Sequence, residues 1–144
     1  EIMPSLVGSE MCIRDSSYRH SAYEDSGLVI TAASVRLTPG DPEQIKNTMH
    51  DIISRRRDKQ PLEYSSAGST FKRPEGHFAG ALIEQCGLKG VSVGGAQVSE
   101  KHAGFIINRG GATASDILSL IKHVQARVKA QTGVTLETEI RLIG

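Results

Sequence analysis

The chain has 144 residues, 38% of them hydrophobic and 4% aromatic, which suits one small domain, or one domain and part of a neighbour. Its formal net charge of +1 argues against a partner that is bound through a strong overall field, such as nucleic acid, a membrane surface or an acidic protein. No apolar run approaches the roughly 20 residues that span a bilayer, and neither the two Cys nor the five His residues have metal-ligand spacing. We therefore expect a soluble protein of the reducing cytoplasm that binds no metal.

The first sixteen residues, EIMPSLVGSEMCIRDS, differ from the rest of the chain because they have neither helical nor strand periodicity. Within them, residues 6–16 resemble the translation of a transposase adapter that is used to prepare sequencing libraries. We expect residues 1–16 to be an artefact of sequence assembly, or alternatively an ordinary disordered N-terminus, and we leave them out of the fold prediction. On the first interpretation, the chain begins in the middle of a longer protein.

A strand and then a helix are predicted between residues 27 and 57. Residues 27–37, GLVITAASVRL, are β-branched and apolar, which predicts a strand that ends before Gly40. Asp41 and Pro42 then supply an N-cap and a proline in the first turn, and Gln44 occupies the third helical position of a capping box. Apolar residues at helical spacing extend the helix to about residue 57: Ile45, Met49, Ile52 and Ile53. We place a domain boundary near Gly40.

The remaining residues, 41–144, predict one α+β domain. Residues 61–76 are rich in loop formers, 78–86 form a short helix that Gly87 ends, and 89–97 combine a strand with turns. Residues 105–108 predict a short buried strand, and residues 134–143 a final strand with alternating polarity. Between them, Thr113 caps the clearest helix, which Gly133 ends and which carries one apolar stripe: Ile117, Leu120, Ile121, Val124 and Val128. Helices and strands intermix without strict βαβ alternation, which favours an α+β fold.

Several segments in order resemble the UDP-N-acetylenolpyruvoylglucosamine reductase family. Residues 60–76, QPLEYSSAGSTFKRPEG, are similar to the signature loop of that family. The resemblance continues through GLKGVSVGGAQVSEKHAGFIIN at 87–108, ATASDILSLI at 112–121 and LETEIRLIG at the C-terminus. Upstream, Tyr18 and Arg19 begin a match to the Tyr-Arg-x-Ser element. The resemblance therefore extends over nearly everything from residue 17 onward, and it points to the subclass with the shorter substrate domain.

The resemblance implies a fold and a reaction. Residues 17–40 would be the end of the FAD-binding domain, and 41–144 the C-terminal substrate-binding domain, whose last strand, 134–144, carries a catalytic glutamate. Members of the family hold FAD, take hydride from NADPH, and reduce UDP-N-acetylglucosamine enolpyruvate to UDP-N-acetylmuramate, a cytoplasmic precursor of peptidoglycan. Because FAD binds mainly to the part that this chain lacks, we expect the 144-residue chain alone to be inactive.

Three catalytic residues follow from the resemblance. Ser69 matches the serine that donates a proton, although the local tripeptide by itself favours a loop serine that closes a turn. Arg19 matches the arginine that polarises the enolpyruvyl carboxylate, with a solvated surface arginine as the alternative. Glu139 matches the catalytic glutamate near the C-terminus. Strand alternation puts Glu137 and Glu139 on the same face, so geometry alone does not choose between them, and the family pattern selects Glu139.

Substrate contacts are implied for Arg56, Lys72, Gln97 and Tyr18. Arg56 best fits an arginine that precedes Lys-Gln-Pro in the family pattern, although basic residues at a helix C-terminus explain this run about as well. Lys72 and Gln97 match positions that line the pocket for the uridine diphosphate. Arg73 stands where many relatives have Asn, which leaves its contact open.

Two other function classes remain as alternatives. The chain could be a UDP-sugar-binding module without catalytic activity, which the presence or absence of an upstream flavin-binding coding region would distinguish from a reductase. It could also bind nucleic acid through the arginine-rich helix end, but the balanced net charge and the scarcity of aromatic residues argue against this.

Overall fold

The computed structural model describes residues 21, 23, 26–32, 34 and 36–142. The predictions for residues 1–16, Tyr18 and Arg19 lie outside the described residues. The chain divides into two compact units, Glu1–Asn47 and Thr48–Gly144. The assignment of residues 17–40 and 41–144 to two functional domains stays a prediction.

The first helix, α1, extends over Pro42–Lys59 and confirms the prediction to within two residues at its end. Asp41 caps it, because the Asp41 carboxylate accepts a hydrogen bond of 2.8 Å from the Gln44 backbone N–H. No residue of α1 is buried. The apolar stripe that predicted the helix is exposed, with Met49 at 56% and Ile52 at 52%.

The predicted strand over residues 27–37 is wrong for the residues that the structure describes there. They carry no strand assignment, and their apolar side chains are exposed, including Val29 at 83%. A β-branched sequence favours extended backbone, but a strand also needs a hydrogen-bonded neighbour. None of the described residues pairs with this segment.

Within the second unit, four strands form one antiparallel sheet in the order β1-β4-β3-β2. The strands are β1 Ser65–Ser69, β2 Ser92–Val93, β3 Ala96–Val98 and β4 Phe105–Asn108. Gly94 and Gly95 form the turn between β2 and β3, and the positive φ of Gly94, 54°, suits a two-residue hairpin. Residues 89–97 were predicted to combine a strand with turns, and the structure has two short strands joined by a turn there, the second ending at Val98. Strand β4 confirms the strand predicted over 105–108.

The core lies on one side of this sheet. Helix α2, Ala79–Gln85, packs against helix α3, Ala114–Thr132, and α3 packs against β2 and β3. The predicted stripe of α3 is in the core, fully buried at Leu120, Val124 and Val128. Mixed helices and an antiparallel sheet confirm the α+β prediction. In the part of the chain that the structure describes, no helix is both long and apolar enough to cross a membrane.

Strand alternation assigns side chains to the two faces of the sheet. Val98 and Ile106 lie opposite one another and belong to the core with the helices. Gln97 and Ile107 lie opposite one another on the other face, and Ser66 is the partner of Ile107 on β1. This second face, called the serine face below, therefore has Ser66, Ile107 and Gln97 in one row.

Two further predictions about the strands need correction. Residues 61–76 were expected to be loop, yet Ser65–Ser69 forms β1, because pairing with β4 compensates for the low strand propensity of its sequence, SSAGS. The predicted strand over 134–144 is reduced, among its described residues, to an isolated antiparallel bridge between Phe71 and Thr138. The alternation itself is present there, since Leu136 is buried and Glu137 is exposed.

A capping box at the start of α3 joins Thr113 and Asp116. The Thr113 hydroxyl accepts from the Asp116 N–H at 3.1 Å, and the Thr113 N–H donates to the Asp116 carboxylate at 2.9 Å. The backbone hydrogen bond from Thr113 holds the pKa of Asp116 below its usual value, with further contributions from the Thr113 hydroxyl and the Gly95 backbone.

We predict that Asp116→Asn destabilises the chain at neutral pH and not in acid. A lowered pKa in the folded state means that the stabilisation is present above the unfolded pKa and is lost as the pH falls through the folded pKa. Urea unfolding at about pH 7 and about pH 2 measures the difference between the two proteins, which should close at the lower pH. As a control, Thr113→Ala should cost about 1 kcal/mol at neutral pH. Equal stability of Asp116→Asn and the unaltered chain at neutral pH would contradict the prediction.

Candidate functional site

Ser69 lies at the end of β1, just after a β-bulge. Ser66 is opposite Ile107 and Ser69 is opposite Phe105, so two residues of β1 face a single residue of β4 between these pairs. One of the two is Gly68, whose φ of 83° lies in the left-handed region. The bulge brings Ser69 onto the serine face opposite Phe105, where Ser69 is exposed.

Glu139 pairs through its backbone with Thr70, the residue that follows Ser69. The Glu139 backbone N–H donates a hydrogen bond of 2.9 Å to the carbonyl oxygen of Thr70, the residue after Ser69. The neighbouring bridge between Phe71 and Thr138 continues this pairing. The structure therefore brings together the segments that carry Ser69 and Glu139, which are 70 residues apart in the sequence.

Lys72 continues the pairing between the signature loop and the C-terminal segment. Its backbone N–H donates to the Glu137 carbonyl at 2.8 Å, and its ammonium group lies 3.3 Å from a Glu137 carboxylate oxygen. Half of the Lys72 side chain and 73% of that of Glu137 are exposed, so water screens this ion pair and its energy is small. Glu137 is therefore paired with Lys72, whereas Glu139 is paired with Thr70, the residue after Ser69.

Gln97 lies on the serine face, two strands away from β1 and roughly 10 Å from it at the usual strand spacing. Its side-chain amide donates to the Gly90 carbonyl at 3.0 Å, and its side-chain oxygen accepts from Arg109 at 3.5 Å. The Arg109 guanidinium also lies 5.1 Å from the centre of the Tyr64 ring. Both the nitrogen and the oxygen of the Gln97 side-chain amide therefore have hydrogen-bond partners within the chain.

Two cavities are lined in part by the loop that leads into β1. The smaller, about 210 Å³, contains Gln97 in its wall. Its other walls come from Pro61, Glu63, Tyr64, Ser99, Glu100, Lys101, Ile107 and Arg109. The larger, about 500 Å³, reaches Ser66 and Phe105, which adjoin Ser69 in the sheet. The serine face thus has concave surface next to Ser69.

The remaining cations near the signature loop contact their own neighbours. Arg56 donates to the side-chain oxygen of Gln60 at 3.5 Å. Arg73 places its guanidinium 4.0 Å from the centre of the Phe78 ring and donates to the His77 carbonyl at 3.4 Å. All these groups are exposed or nearly so, which leaves them accessible to an anionic ligand. Among the described residues, no group of three or more His, Cys, Asp and Glu side chains could hold a metal ion.

Sequence reasoning missed Thr70, Tyr64 and Arg109. Thr70 is inside the signature loop but received no role, since only its burial, at 3% exposure, distinguishes it from a solvated threonine. Tyr64 and Arg109 are 45 residues apart, and only the pairing of β1 with β4 brings them together. The one available signal was the position of Arg109, directly after the buried apolar strand Phe105–Asn108.

Comparison with known proteins identifies the same family along most of the chain. Residues 60–143 match the family model for the C-terminal domain of UDP-N-acetylenolpyruvoylglucosamine reductase. The chain is 56% identical over 130 residues to the UDP-N-acetylenolpyruvoylglucosamine reductase of Agathobacter rectalis, and 58% identical over 127 residues to that of Clostridium perfringens. These alignments cover 90% and 88% of this chain but only 41% and 42% of the relatives.

A solved structure of the same family has a similar fold. The crystal structure of UDP-N-acetylenolpyruvylglucosamine reductase (MurB) from Thermus caldophilus superposes with a TM-score of 0.63 at 36% identity. It covers 76% of this chain and 38% of the Thermus chain. The chain therefore spans about two fifths of the length of the curated relatives it matches. Because the family model matches more than half of the chain, the chain belongs to the UDP-N-acetylenolpyruvoylglucosamine reductase family, of which it is a C-terminal portion.

We predict that Gly68→Ala destabilises the chain and disturbs the end of β1. A Cβ at Gly68 would meet open space, so the cost comes from the positive φ, at about 1–2 kcal/mol. Gly133→Ala is the matched control, because Gly133 also has a positive φ, 75°, and open space, but ends α3. Urea unfolding should show similar losses for both variants, while amide NMR shifts at Ser69 should change only for Gly68→Ala. Unchanged stability of Gly68→Ala would contradict this account of the bulge.

Proposed function

We propose that this chain is the substrate-binding portion of a reductase that converts UDP-N-acetylglucosamine enolpyruvate to UDP-N-acetylmuramate, and that Ser69 and Glu139 serve the proton-transfer half of the reaction. Membership of the family supports the reaction. The observation that supports the proposal is the 2.9 Å hydrogen bond from the Glu139 N–H to the Thr70 carbonyl, since it pairs Glu139 with the residue that follows Ser69.

The chemistry requires a proton donor and stabilisation of negative charge. Reduction of the enol ether adds a hydride to one carbon and a proton to its neighbour, and negative charge spreads into the substrate carboxylate. In the proposal, the Ser69 hydroxyl donates this proton, and the resulting alkoxide is stabilised by nearby positive charge. Lys72, three residues further along, is the described cation closest to Ser69 in sequence. Glu139 orients the hydroxyl or assists the proton transfer.

Substrate binding is assigned to the exposed polar residues around the signature loop. Lys72, Arg56 and Arg73 offer positive charge for a diphosphate, and their contacts within the chain involve exposed groups that a charged ligand can displace. Gln97 remains proposed for the uridine-diphosphate pocket, although its amide is engaged with Gly90 and Arg109. The roles of Tyr18 and Arg19 rest on the family resemblance alone.

The start of α3 does not fit the phosphates of FAD. The phosphates of a dinucleotide need free backbone N–H groups, typically at a glycine-rich turn before a helix. Gly110 and Gly111 precede α3, but the Thr113 hydroxyl and the Asp116 carboxylate already occupy its first turn, and that carboxylate would repel phosphate. Since the chain covers only 41% and 42% of two reductases of the family, we assign FAD and NADPH mainly to the part of the relatives that lies outside this chain and derive no step through them here.

We predict that the chain is active only when joined to that other part. In a chimaera, residues 17–144 would replace the matching C-terminal portion of the Agathobacter rectalis reductase. We expect NADPH oxidation that depends on UDP-N-acetylglucosamine enolpyruvate, and a drop in kcat of about 100-fold or more for Ser69→Ala, because the proton donor is lost. Ser92→Ala is the control, since the Ser92 hydroxyl donates only to the Gly90 carbonyl on the exposed hairpin.

Three outcomes separate the possibilities. Full activity of the Ser69→Ala chimaera would reject Ser69 as the proton donor. A chimaera that binds the UDP-sugar without turnover would favour the non-catalytic binding module. The purified 144-residue chain should contain no FAD and should not oxidise NADPH, and detection of either would contradict the assignment of the cofactor to the missing part.

A further inference from the structure

Thr70, the residue after Ser69, has 3% exposure and is one of two buried polar residues in the part of the chain that the structure describes. Its hydroxyl accepts a hydrogen bond of 3.1 Å from the Ile106 backbone N–H, which is itself buried. Its own N–H donates to the Gly104 carbonyl at 2.9 Å, and its carbonyl accepts from the Glu139 N–H at 2.9 Å. Side chain, N–H and carbonyl of this residue therefore all have partners, in two different segments.

These three bonds connect the parts of the site that must keep a fixed geometry. Gly104 and Ile106 flank Phe105, the partner of Ser69 in β4, so the first two bonds fix Ser69 relative to the sheet. The third fixes the C-terminal segment, and with it Glu139, relative to the same residue. A buried N–H left without an acceptor is costly, so the bond from the Ile106 N–H to the Thr70 hydroxyl fixes Thr70 relative to β4. The C-terminal segment is then fixed relative to β4 through the Thr70 carbonyl.

We propose that Thr70 is a positioning residue, which holds Ser69 and Glu139 at the mutual distance that proton transfer requires. This inference rests on the proposed function for its catalytic consequence. Its structural part, that the Thr70 hydroxyl determines where the Glu139 segment lies, is independent of any reaction. A buried hydroxyl that served stability alone would affect folding without a selective effect on the Glu139 segment.

Three variants separate these roles. Thr70→Val has nearly the same shape and removes the acceptor of the Ile106 N–H, whereas Thr70→Ser keeps a hydroxyl. Thr113→Val is the matched control, because the Thr113 hydroxyl also accepts one backbone N–H at 3.1 Å, but at the exposed start of α3.

The first measurement is amide hydrogen exchange by NMR on the 144-residue chain. In Thr70→Val, the Ile106 and Glu139 amides should exchange about tenfold faster relative to the Val124 amide, which reports opening of the core. Thr70→Ser should stay within about twofold of the unaltered chain, and Thr113→Val should leave the ratio of Glu139 to Val124 unchanged. An unchanged ratio in Thr70→Val would overturn the proposal.

The second measurement is steady-state kinetics of the same variants in the chimaera, at a temperature where all of them are folded. Thr70→Val should lower kcat about tenfold and leave KM within about twofold, because a misplaced proton donor affects the reaction more than binding. Thr70→Ser should restore kcat, and Thr113→Val should not change it. Equal losses of kcat in Thr70→Val and Thr113→Val would overturn the catalytic consequence. If the unaltered chimaera does not turn over, the proposed function fails, and the exchange ratio still decides whether Thr70 holds the Glu139 segment.

Discussion

The site depends on one requirement, that the buried polar groups of Thr70 be satisfied. Thr70 lies at the point where β1 ends and the chain passes towards the core, and it has 3% exposure. Its hydroxyl and N–H hold it to β4, and its carbonyl holds the C-terminal segment. Since unpaired polar groups in the interior are costly, this set of bonds determines the register in which Glu139 meets the signature loop. The neighbouring Phe71–Thr138 bridge and the Lys72–Glu137 pair follow from that register.

The two faces of the sheet differ in what they contact: one packs in the core, and the other carries the residues proposed to bind and react with the substrate. The face towards α2 and α3 contains Val98 and Ile106 within the core, and it resists change because the interior is close-packed. The serine face presents Ser69 and Gln97, with Phe105 and Ile107 buried between them and concave surface along the loop into β1. Polar side chains on this face can respond to a ligand without disturbing the core. A sheet that holds Ser69, the proposed proton donor, at a bulge suits a reaction in which a proton must be delivered to one particular carbon.

The sequence predicted those parts of the fold that local signals determine. The caps at Asp41 and Thr113, the glycine that ends α3 and the apolar stripe of α3 all act within a few residues of one another, and all were confirmed. Strands that depend on a distant partner were predicted less well. The described residues within 27–37 have strand propensity without a strand, whereas Ser65–Ser69 has little propensity and pairs with β4, about 40 residues away. For the site, the resemblance selected Ser69 and Glu139, which local chemistry alone would have treated as a turn serine and a solvated acid. Thr70 could not be predicted, because only its burial in the folded chain distinguishes it from a surface threonine. The Tyr64–Arg109 contact could not be predicted either, because it depends on the pairing of β1 with β4.

An amide NMR titration of the 144-residue chain with UDP-N-acetylglucosamine enolpyruvate tests the proposed substrate site most directly. It requires neither flavin nor turnover, and it asks only where the substrate binds. We predict that the largest shifts occur at Ser69, Lys72 and Glu139, with little change at Lys122 on the exposed side of α3. Shifts centred on α3, or no shifts at Ser69 and Glu139 when the substrate is bound, would contradict the claim that this register forms the substrate site.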